Sequence, residues 1–297
     1  MRRMRFLPIA LFALPCLLGA QRPIKVFISV DMEGIGGVVT AEQLGPTGFE
    51  YTRFREFMTA EALAAMAGAR EAGATQFVLA DSHGNEQNLL IERFPAGTTI
   101  VRGSPRANGM MHGIDSSFAA VFFIGYHAAT TNPNGVRAHT ISSATFAALK
   151  LNGRASAESA LNASIAGYYG VPVALVSGDD QAVAEVKEIQ PQAEGAVVKQ
   201  AISFHAAAVK TPEESQALIR AKAKAAITRL REMKPYVTVA PVKLELTYKN
   251  YTPAEMISYL PGVERVDAHT IRYTGRSILE ISKFMQVVTG YRSDLTP

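Results

Sequence analysis

Four short runs of apolar residues are the feature that most limits how this chain can fold. They cover residues 26–30 (VFISV), 75–80 (TQFVLA), 119–125 (AAVFFIG) and 171–176 (VPVALV). Each run is almost continuously apolar rather than alternating, which is typical of strands buried on both faces of a parallel sheet. A segment with helical spacing of its apolar residues, 51–72, separates the first two runs. The pattern predicts an α/β fold with a mostly parallel sheet and helices on both faces.

The character of the sequence changes near residue 190. Beyond it we predict a strand at 197–202, a long helix that begins after Thr211, and then alternating strands and helices. Thr211 is followed by proline at the first helical position and by Glu214, which completes a capping box. We expect three parts: a signal peptide at 1–20, an α/β domain at 21–190, and a smaller C-terminal α+β domain at 191–297.

Residues 1–20 have the composition of a signal peptide. Arginines at positions 2, 3 and 5 precede an apolar stretch at 6–18 and a cleavage site before Gln21. The apolar stretch is shorter than the roughly 20 residues that cross a bilayer, so we expect no stable membrane anchor. An uncleaved N-terminal anchor is the alternative. Cleavage would leave a secreted or periplasmic protein.

The charge and cysteine content of the mature chain exclude two classes of protein. Removing residues 1–20 takes away three of the 30 basic residues and none of the 26 acidic ones, leaving 27 against 26. Without a clustered basic face there is no electrostatic case for binding nucleic acid. The removed segment also holds the sole cysteine, Cys16, so the mature chain has no means of forming a disulfide.

Acidic residues and histidines follow three of the apolar runs. Asp31 and Glu33 follow the first run, Asp81 and His83 the second, and His127 the third. In a parallel sheet the carboxyl ends of the strands lie at one edge, and residues at i and i+2 share a face. Carboxylates and imidazoles without thiolates suit zinc or manganese in a hydrolytic site, often with two ions. Each residue alone could be a helix cap or a turn residue, but recurrence at three strand ends favours a metal site.

Two other catalytic patterns are absent. The glycines at 34–37 do not form a dinucleotide-binding fingerprint, because the position of its third glycine is Val39 and no suitable acidic residue ends a second strand. The serine-hydrolase pattern G-x-S-x-G is missing as well.

Taken together, the motifs resemble those of the zinc-dependent D-aminopeptidases, over essentially the whole mature chain. The matching stretches are SVDMEGI (29–35), DSH (81–83), GYHA (125–128), GV-x-x-H (135–139), AGYY-x-VPV (166–173) followed by SGDD (177–180), and VKQAIS (198–203). What this resemblance implies for fold, cofactor and site residues is an expectation for the structure to meet.

The resemblance implies a set of metal ligands and one catalytic residue. The ligands would be Asp31, Glu33, His83, His127 and Glu158, and the catalytic histidine would be His139. Asp31 would bridge two zinc ions per subunit, with one completed by Glu33 and His127 and the other by His83 and Glu158. Two alternatives stay open: Glu158 as a favourable charge at a helix N-terminus, and His139 as a pocket residue without a chemical role.

Other polar residues receive lesser roles. We expect Asp81 to support the site, for example by orienting a ligand imidazole. Asp179 and Asp180 either support the site or cap a helix. The remaining histidines match no motif and are expected on the surface or in structural positions: His112, His205 and His269.

The expected function follows from the resemblance. The chain would be an exported metallo-aminopeptidase that uses zinc-activated water to release N-terminal residues, D-amino acids such as D-Ala, from short peptides. It would be a homo-oligomer, since family members form rings of ten subunits. Two alternatives stay open: another two-metal hydrolase, such as an amidase or phosphoesterase, and a non-catalytic exported peptide-binding protein.

Overall fold

The structure, a computed structural model, describes residues 23–291. The predicted signal peptide at 1–20 lies outside the described residues, as do residues 292–297. Within the described part of the chain, no helix combines the length and the apolar character needed to cross a membrane.

Residues 23–291 form twelve strands and six α-helices. The strands are β1 (Ile24–Val30), β2 (Ala74–Asp81), β3 (Thr99–Val101), β4 (Ala120–Tyr126), β5 (Phe146–Leu151), β6 (Arg154–Ala155), β7 (Val173–Asp179), β8 (Glu194–Ser203), β9 (Ala206–Val209), β10 (Val242–Tyr248), β11 (Val263–Arg265) and β12 (Thr270–Gly275). The helices are α1 (Tyr51–Glu71), α2 (Glu158–Tyr168), α3 (Asp180–Ile189), α4 (Pro212–Thr228), α5 (Tyr251–Ser258) and α6 (Ile278–Gly290).

The larger sheet has seven strands in the order β3-β2-β1-β4-β7-β8-β9. The first six pair in parallel, and β9 pairs antiparallel with β8 at the edge. The predicted mostly parallel sheet is confirmed. Three consecutive strands of this sheet, β2, β1 and β4, are the ones whose ends carry the predicted ligands, so these ends are neighbours in space.

Side chains of β1 alternate between the two faces of this sheet. Val26 and Ile28 join the core under α1 and α4, whereas Phe27 joins the core on the opposite face, with α2 and α3. All three side chains are fully buried. Because successive residues of a strand point to opposite faces, an unbroken apolar run is what a sheet covered on both sides requires.

A second, antiparallel sheet has five strands in the order β11-β12-β10-β5-β6. Its β5–β6 hairpin turns at Asn152 and Gly153, which have φ values of 49° and 83°. Two consecutive positive φ angles belong to the tight turn that an Asn-Gly pair favours. Helices α5 and α6 pack against this sheet and complete its core.

The two sheets do not divide the chain at residue 190. Strand β8, which follows that position, pairs with β7 in the larger sheet, and α4 packs on α1. Strands β5 and β6, which precede it, belong to the second sheet. The smaller unit therefore combines β5–β6 with the segment from β10 to α6. Because β5 pairs with β10, roughly 90 residues further along the chain, local sequence patterns contain no sign of this grouping.

Candidate metal centre

The chain that leaves β1 stays in contact with the end of β4. The amide of Asp31 donates to Ile124 O at 2.8 Å, and the amide of Gly34 donates to Gly125 O at 2.7 Å. A Cβ at Gly34 would lie 2.0 Å from the carbonyl oxygen of Tyr126, so only glycine fits there. This close approach holds the acidic residue between them, Glu33, over the edge of the sheet.

The end of β2 is fixed by Asp81. Its carboxylate accepts hydrogen bonds from the Asn88 amide at 2.6 Å, the Leu89 amide at 2.7 Å and Asn88 Nδ2 at 2.8 Å. Asn88 Nδ2 also donates to the carbonyl of His83 at 2.7 Å. Asp81 thus supports the site, but it does so by holding the loop that carries His83, through Asn88, rather than by direct contact with the imidazole.

The remaining predicted residues come from the end of β4 and from α2. His127 follows β4 directly, and Glu158 is the first residue of α2, which packs against β4. The amide of His139 donates to Ala128 O at 3.1 Å, which places the His139 loop beside His127. The Glu158 carboxylate also accepts a hydrogen bond from the amide of Ile141 at 2.5 Å.

All six predicted site residues are buried and lie together in two groups. In the first group, His83 Nδ1 lies 2.7 Å from Glu33 Oε2 and 3.4 Å from Asp31 Oδ1. The second group contains His127, His139 and Glu158. Here Glu158 Oε1 is 3.4 Å from His127 Nε2 and 3.8 Å from His139 Nε2.

Asp31 lies between the two groups. One of its oxygens faces His83, as given above, and the other, Oδ2, lies 3.4 Å from His127 Nε2. This position fits the bridging role expected for Asp31. Its companions are grouped differently from the expectation: Glu33 lies with His83, and Glu158 lies with His127. The reason is the strand order. Strand β2, which leads to His83, lies on one side of β1, and β4, which leads to His127, lies on the other side of β1. Helix α2, which carries Glu158, packs on β4.

The outer nitrogen of each imidazole is engaged by a backbone carbonyl. His83 Nε2 is 2.7 Å from Leu44 O, His127 Nδ1 is 3.0 Å from Ala128 O, and His139 Nδ1 is 2.7 Å from Arg137 O. An N–H must donate in each of these contacts, because a carbonyl only accepts. When the ring is neutral, its second nitrogen therefore has a lone pair directed toward the carboxylates of Asp31, Glu33 and Glu158. Metal-binding histidines adopt this arrangement.

The charges of the site also fit a cation. Asp31, Glu33 and Glu158 are three carboxylates within one buried cluster, and Asp31 Oδ2 is buried without a hydrogen-bond partner. Burying unpaired anions together is costly, and a divalent cation between them would offset that cost. Imidazole nitrogens and carboxylate oxygens are ligands that zinc accepts.

The same carboxylates change the acidity of the histidines. Burial lowers the pKa of His83, but Glu33 and Asp31 outweigh it and hold this pKa well above its usual range. For His127, burial acts in the same direction and is outweighed by Glu158 and Asp31, so its pKa is also raised well above normal. Without metal, protons on these rings therefore balance part of the negative charge.

Both groups line one cavity of about 850 Å³. The cavity is partly open to solvent and extends along α2 and the C-terminal end of α6. Apolar side chains on its wall include Met110, Leu161, Ile165 and Met285. A pocket of this size, with polar groups converging at one place, can hold a small molecule or a short peptide beside the carboxylates and imidazoles.

The lesser predictions have clear outcomes. Asp179 caps α3, since its carboxylate accepts the amide of Ala182 at 2.7 Å. Asp180 accepts the amide of Ala201 at 2.7 Å and so ties α3 to β8. The three histidines without a motif lie on the surface, as expected: His112, His205 and His269.

The buried charged residues near the site that were missed at the level of sequence include Lys199 and Glu61. Lys199 on β8 is 1% exposed, and Glu61 on α1 is 2% exposed. Lys199 falls in the matched stretch at 198–203, and the signal available was a lysine directly after Val197 and Val198 within a predicted strand. Glu61 gives no such signal, because acidic residues are common on exposed helix faces.

Comparison with known proteins agrees with this geometry. The sequence model of the D-aminopeptidase family matches residues 24–287. A D-aminopeptidase from Bacillus subtilis (strain 168) is 33% identical over 268 residues, which cover 89% of this chain and 96% of the relative. A solved structure, the Zn-dependent D-aminopeptidase DppA from Bacillus subtilis, described as a self-compartmentalizing protease, superposes with a TM-score of 0.87. That match has 32% identity and covers 92% of this chain and 100% of the other.

Proposed function

The chain belongs to the D-aminopeptidase family, and from that premise we propose that it is a zinc-dependent aminopeptidase that removes N-terminal D-residues, such as D-Ala, from short peptides. The observation that carries the proposal is the pair of ligand groups joined by Asp31. A cavity large enough for a short peptide surrounds them.

We assign the metal ligands from the side chains that converge. Asp31 would be shared by two zinc ions, with Glu33 and His83 beside one and His127 and Glu158 beside the other. Support comes from the buried, unpartnered Oδ2 of Asp31 and from the backbone carbonyls that engage the outer nitrogen of His83 and of His127, which leaves the other nitrogen of each ring facing the carboxylates. When bound, zinc lowers the pKa of a coordinated water and polarises a substrate carbonyl.

His139 is the proposed proton-transfer residue. Its Nδ1–H is engaged by Arg137 O, so Nε2 is the atom free to accept or give a proton. Nε2 lies 3.9 Å from Glu33 Oε1 and 3.8 Å from Glu158 Oε1, on the wall of the cavity. In hydrolysis, water adds to the carbonyl carbon, the C–N bond breaks, and a proton must reach the leaving amine. A histidine in this position can carry that proton.

Export and assembly complete the proposal. The composition of residues 1–20 supports export to a secreted or periplasmic location. A homo-oligomer, with ten subunits as in the family, is supported by the self-compartmentalizing relative and by large apolar side chains on the surface of the described residues. These include Phe49, Ile202, Val239 and Tyr259, each at least two-thirds exposed.

The test is hydrolysis of D-Ala and L-Ala p-nitroanilides by the mature protein, first stripped of metal and then reloaded with zinc. We expect zinc-dependent cleavage with preference for the D form. Asp31→Ala should abolish it, and the matched control His112→Ala, at an exposed histidine, should not. Faster cleavage of the L form would overturn the stereochemical part. Cleavage of a chromogenic phosphoester alone would overturn the peptidase assignment, and so would peptide binding without cleavage.

A further inference from the structure

A buried lysine holds the segment that carries Glu33. Lys199 Nζ donates hydrogen bonds to three carbonyl oxygens of this segment, at 2.5 Å to Glu33, 3.2 Å to Ile35 and 2.7 Å to Val38. Lys199 belongs to β8, which is separated from β1 by β4 and β7 in the sheet. These contacts therefore connect the metal-ligand segment to a part of the sheet with which β1 does not pair.

Glu61 holds the same segment from another direction. Its Oε1 accepts the amide of Gly36 at 2.9 Å. A Cβ at Gly36 would lie 2.7 Å from Ser215 Oγ and 3.0 Å from Glu61 Oε1, so α4 and α1 both touch the segment there. Residues 33–38 are thus fixed by contacts from β8, α1 and α4, with carbonyls bound by a cation and an amide bound by a carboxylate.

The stability of the fold does not by itself explain why a lysine occupies the buried position 199. Burying an ammonium is costly, and an apolar side chain of similar size is often as good or better for the fold. What the ammonium provides is three donors, and all three are used on one short segment. One acceptor is the carbonyl of Glu33 itself, whose carboxylate lies 2.7 Å from His83 Nδ1.

We propose that Lys199 is a positioning residue of the metal centre, which fixes the backbone of Glu33 and so the place of its carboxylate relative to Asp31 and His83. This inference rests on the proposed function, because it takes these three residues as zinc ligands. Residues that orient metal ligands typically change metal affinity by about 10- to 100-fold when they are replaced.

A purely electrostatic role and a positioning role of Lys199 predict opposite changes in zinc affinity when Lys199 is replaced by methionine. The positive charge of Lys199 lies close to Glu33 and repels a divalent cation bound there. If charge were its only influence, Lys199→Met would make zinc bind more tightly. If Lys199 positions Glu33, the same substitution weakens zinc binding, because the carboxylate is no longer held in place.

The experiment measures zinc affinity of the full mature protein by competition with a chromogenic chelator, together with the visible spectrum of the cobalt-loaded form. We expect Lys199→Met to bind zinc about 10- to 100-fold more weakly and to show an altered cobalt spectrum. Lys150→Met is the matched control, because it makes the same change at an exposed strand position and should leave both readouts unchanged. The cobalt spectrum reports ligand geometry in the folded protein, which a loss of stability alone would not alter.

The possible outcomes distinguish a failure of the proposed function from a failure of the positioning role of Lys199. Wild-type protein that binds no zinc would overturn the proposed function. Wild-type binding together with equal or tighter binding by Lys199→Met would overturn the role of Lys199. If Lys199→Met does not fold, Gly36→Ala decides, because its added Cβ crowds the same segment against Ser215 Oγ and Glu61 Oε1 while Lys199 stays in place. Weaker zinc binding by Gly36→Ala supports the inference, and unchanged binding overturns it.

Discussion

The rings of His127 and His139 lie face to face, with centroids 4.0 Å apart and planes inclined by 7°. Both direct Nε2 toward the same oxygen, Glu158 Oε1. The face-to-face contact packs the two rings against each other beside this carboxylate. The stacking also limits rotation of His139 and keeps its Nε2 at the cavity wall.

Replacing His139 separates a catalytic role from a ligand role. We expect His139→Ala to lower kcat by about 10²- to 10⁴-fold, because a positioned proton carrier is lost. Zinc content per subunit should stay at the wild-type value, as measured by elemental analysis after gel filtration. Loss of zinc with the activity would instead make His139 a ligand in the group with His127 and Glu158.

Replacing Asp31 should remove both metal and activity. Asp31 is the residue that links the two ligand groups, so Asp31→Ala deprives each of them of a carboxylate oxygen. We expect zinc content to fall to a small fraction of wild type and peptidase activity to fall with it, by about 10²-fold or more. Retention of full zinc content would show that the ions are held elsewhere.

Zinc binding should release protons and weaken in acid. The pKa values of His83 and His127 are raised well above normal in the metal-free protein, where carboxylates outweigh the effect of burial. A ring nitrogen must lose its proton before it can bind zinc, so affinity rises with pH toward those raised values. Chelator competition at about pH 6 and about pH 8, with calorimetry in two buffers to count protons, tests this. Affinity that does not change over this interval would contradict it.

Glu61 should make the fold less stable as the pH rises. Burial raises the pKa of Glu61 from 4.5 to about 7, although the hydrogen bond from Gly36 and the charge of Lys199 oppose it. The folded state therefore takes up a proton more readily than the unfolded chain. The resulting stability is fully present below about pH 4.5 and is lost as the pH rises through about 7.

Glu61→Gln tests this linkage. Glutamine keeps the oxygen that accepts from Gly36 and carries no charge, so the variant should be more stable than wild type at about pH 8, by up to about 3 kcal/mol. At about pH 5 the two should be nearly equal, because Glu61 is then largely protonated. Urea unfolding at both pH values measures the difference in free energy of unfolding between the variant and wild type. A difference that is the same at both pH values would contradict the raised pKa of Glu61.

The apolar runs predicted the centre of the fold because they are local signals. Val26 and Ile28 on one face and Phe27 on the other are all buried, as an unbroken run requires. The convergence of Asp31, His83 and His127 followed from the general rule for the edge of a parallel sheet. Those positions could therefore be predicted from the amino-acid sequence alone.

The pairing of the ligands and the division of the chain could not be predicted in the same way. Which carboxylate lies beside which histidine depends on strand order, and strand order is set by contacts between distant segments. The same is true of β8, which looked like the start of a second unit but extends the larger sheet. Lys199 shows most clearly what local sequence patterns do not reveal, since its three hydrogen-bond acceptors lie more than 160 residues earlier in the chain.

The proposed ligands come from the ends of three parallel strands and from α2, and this has a consequence for how the protein would acquire its metal. Between residues 31 and 158 no short stretch holds more than two of the five proposed ligands, and parallel pairing brings distant segments together late in folding. We therefore do not expect zinc to act as a nucleus for folding, as it does in small zinc-binding modules. We expect the sheet to form first and the metal to enter through the finished cavity.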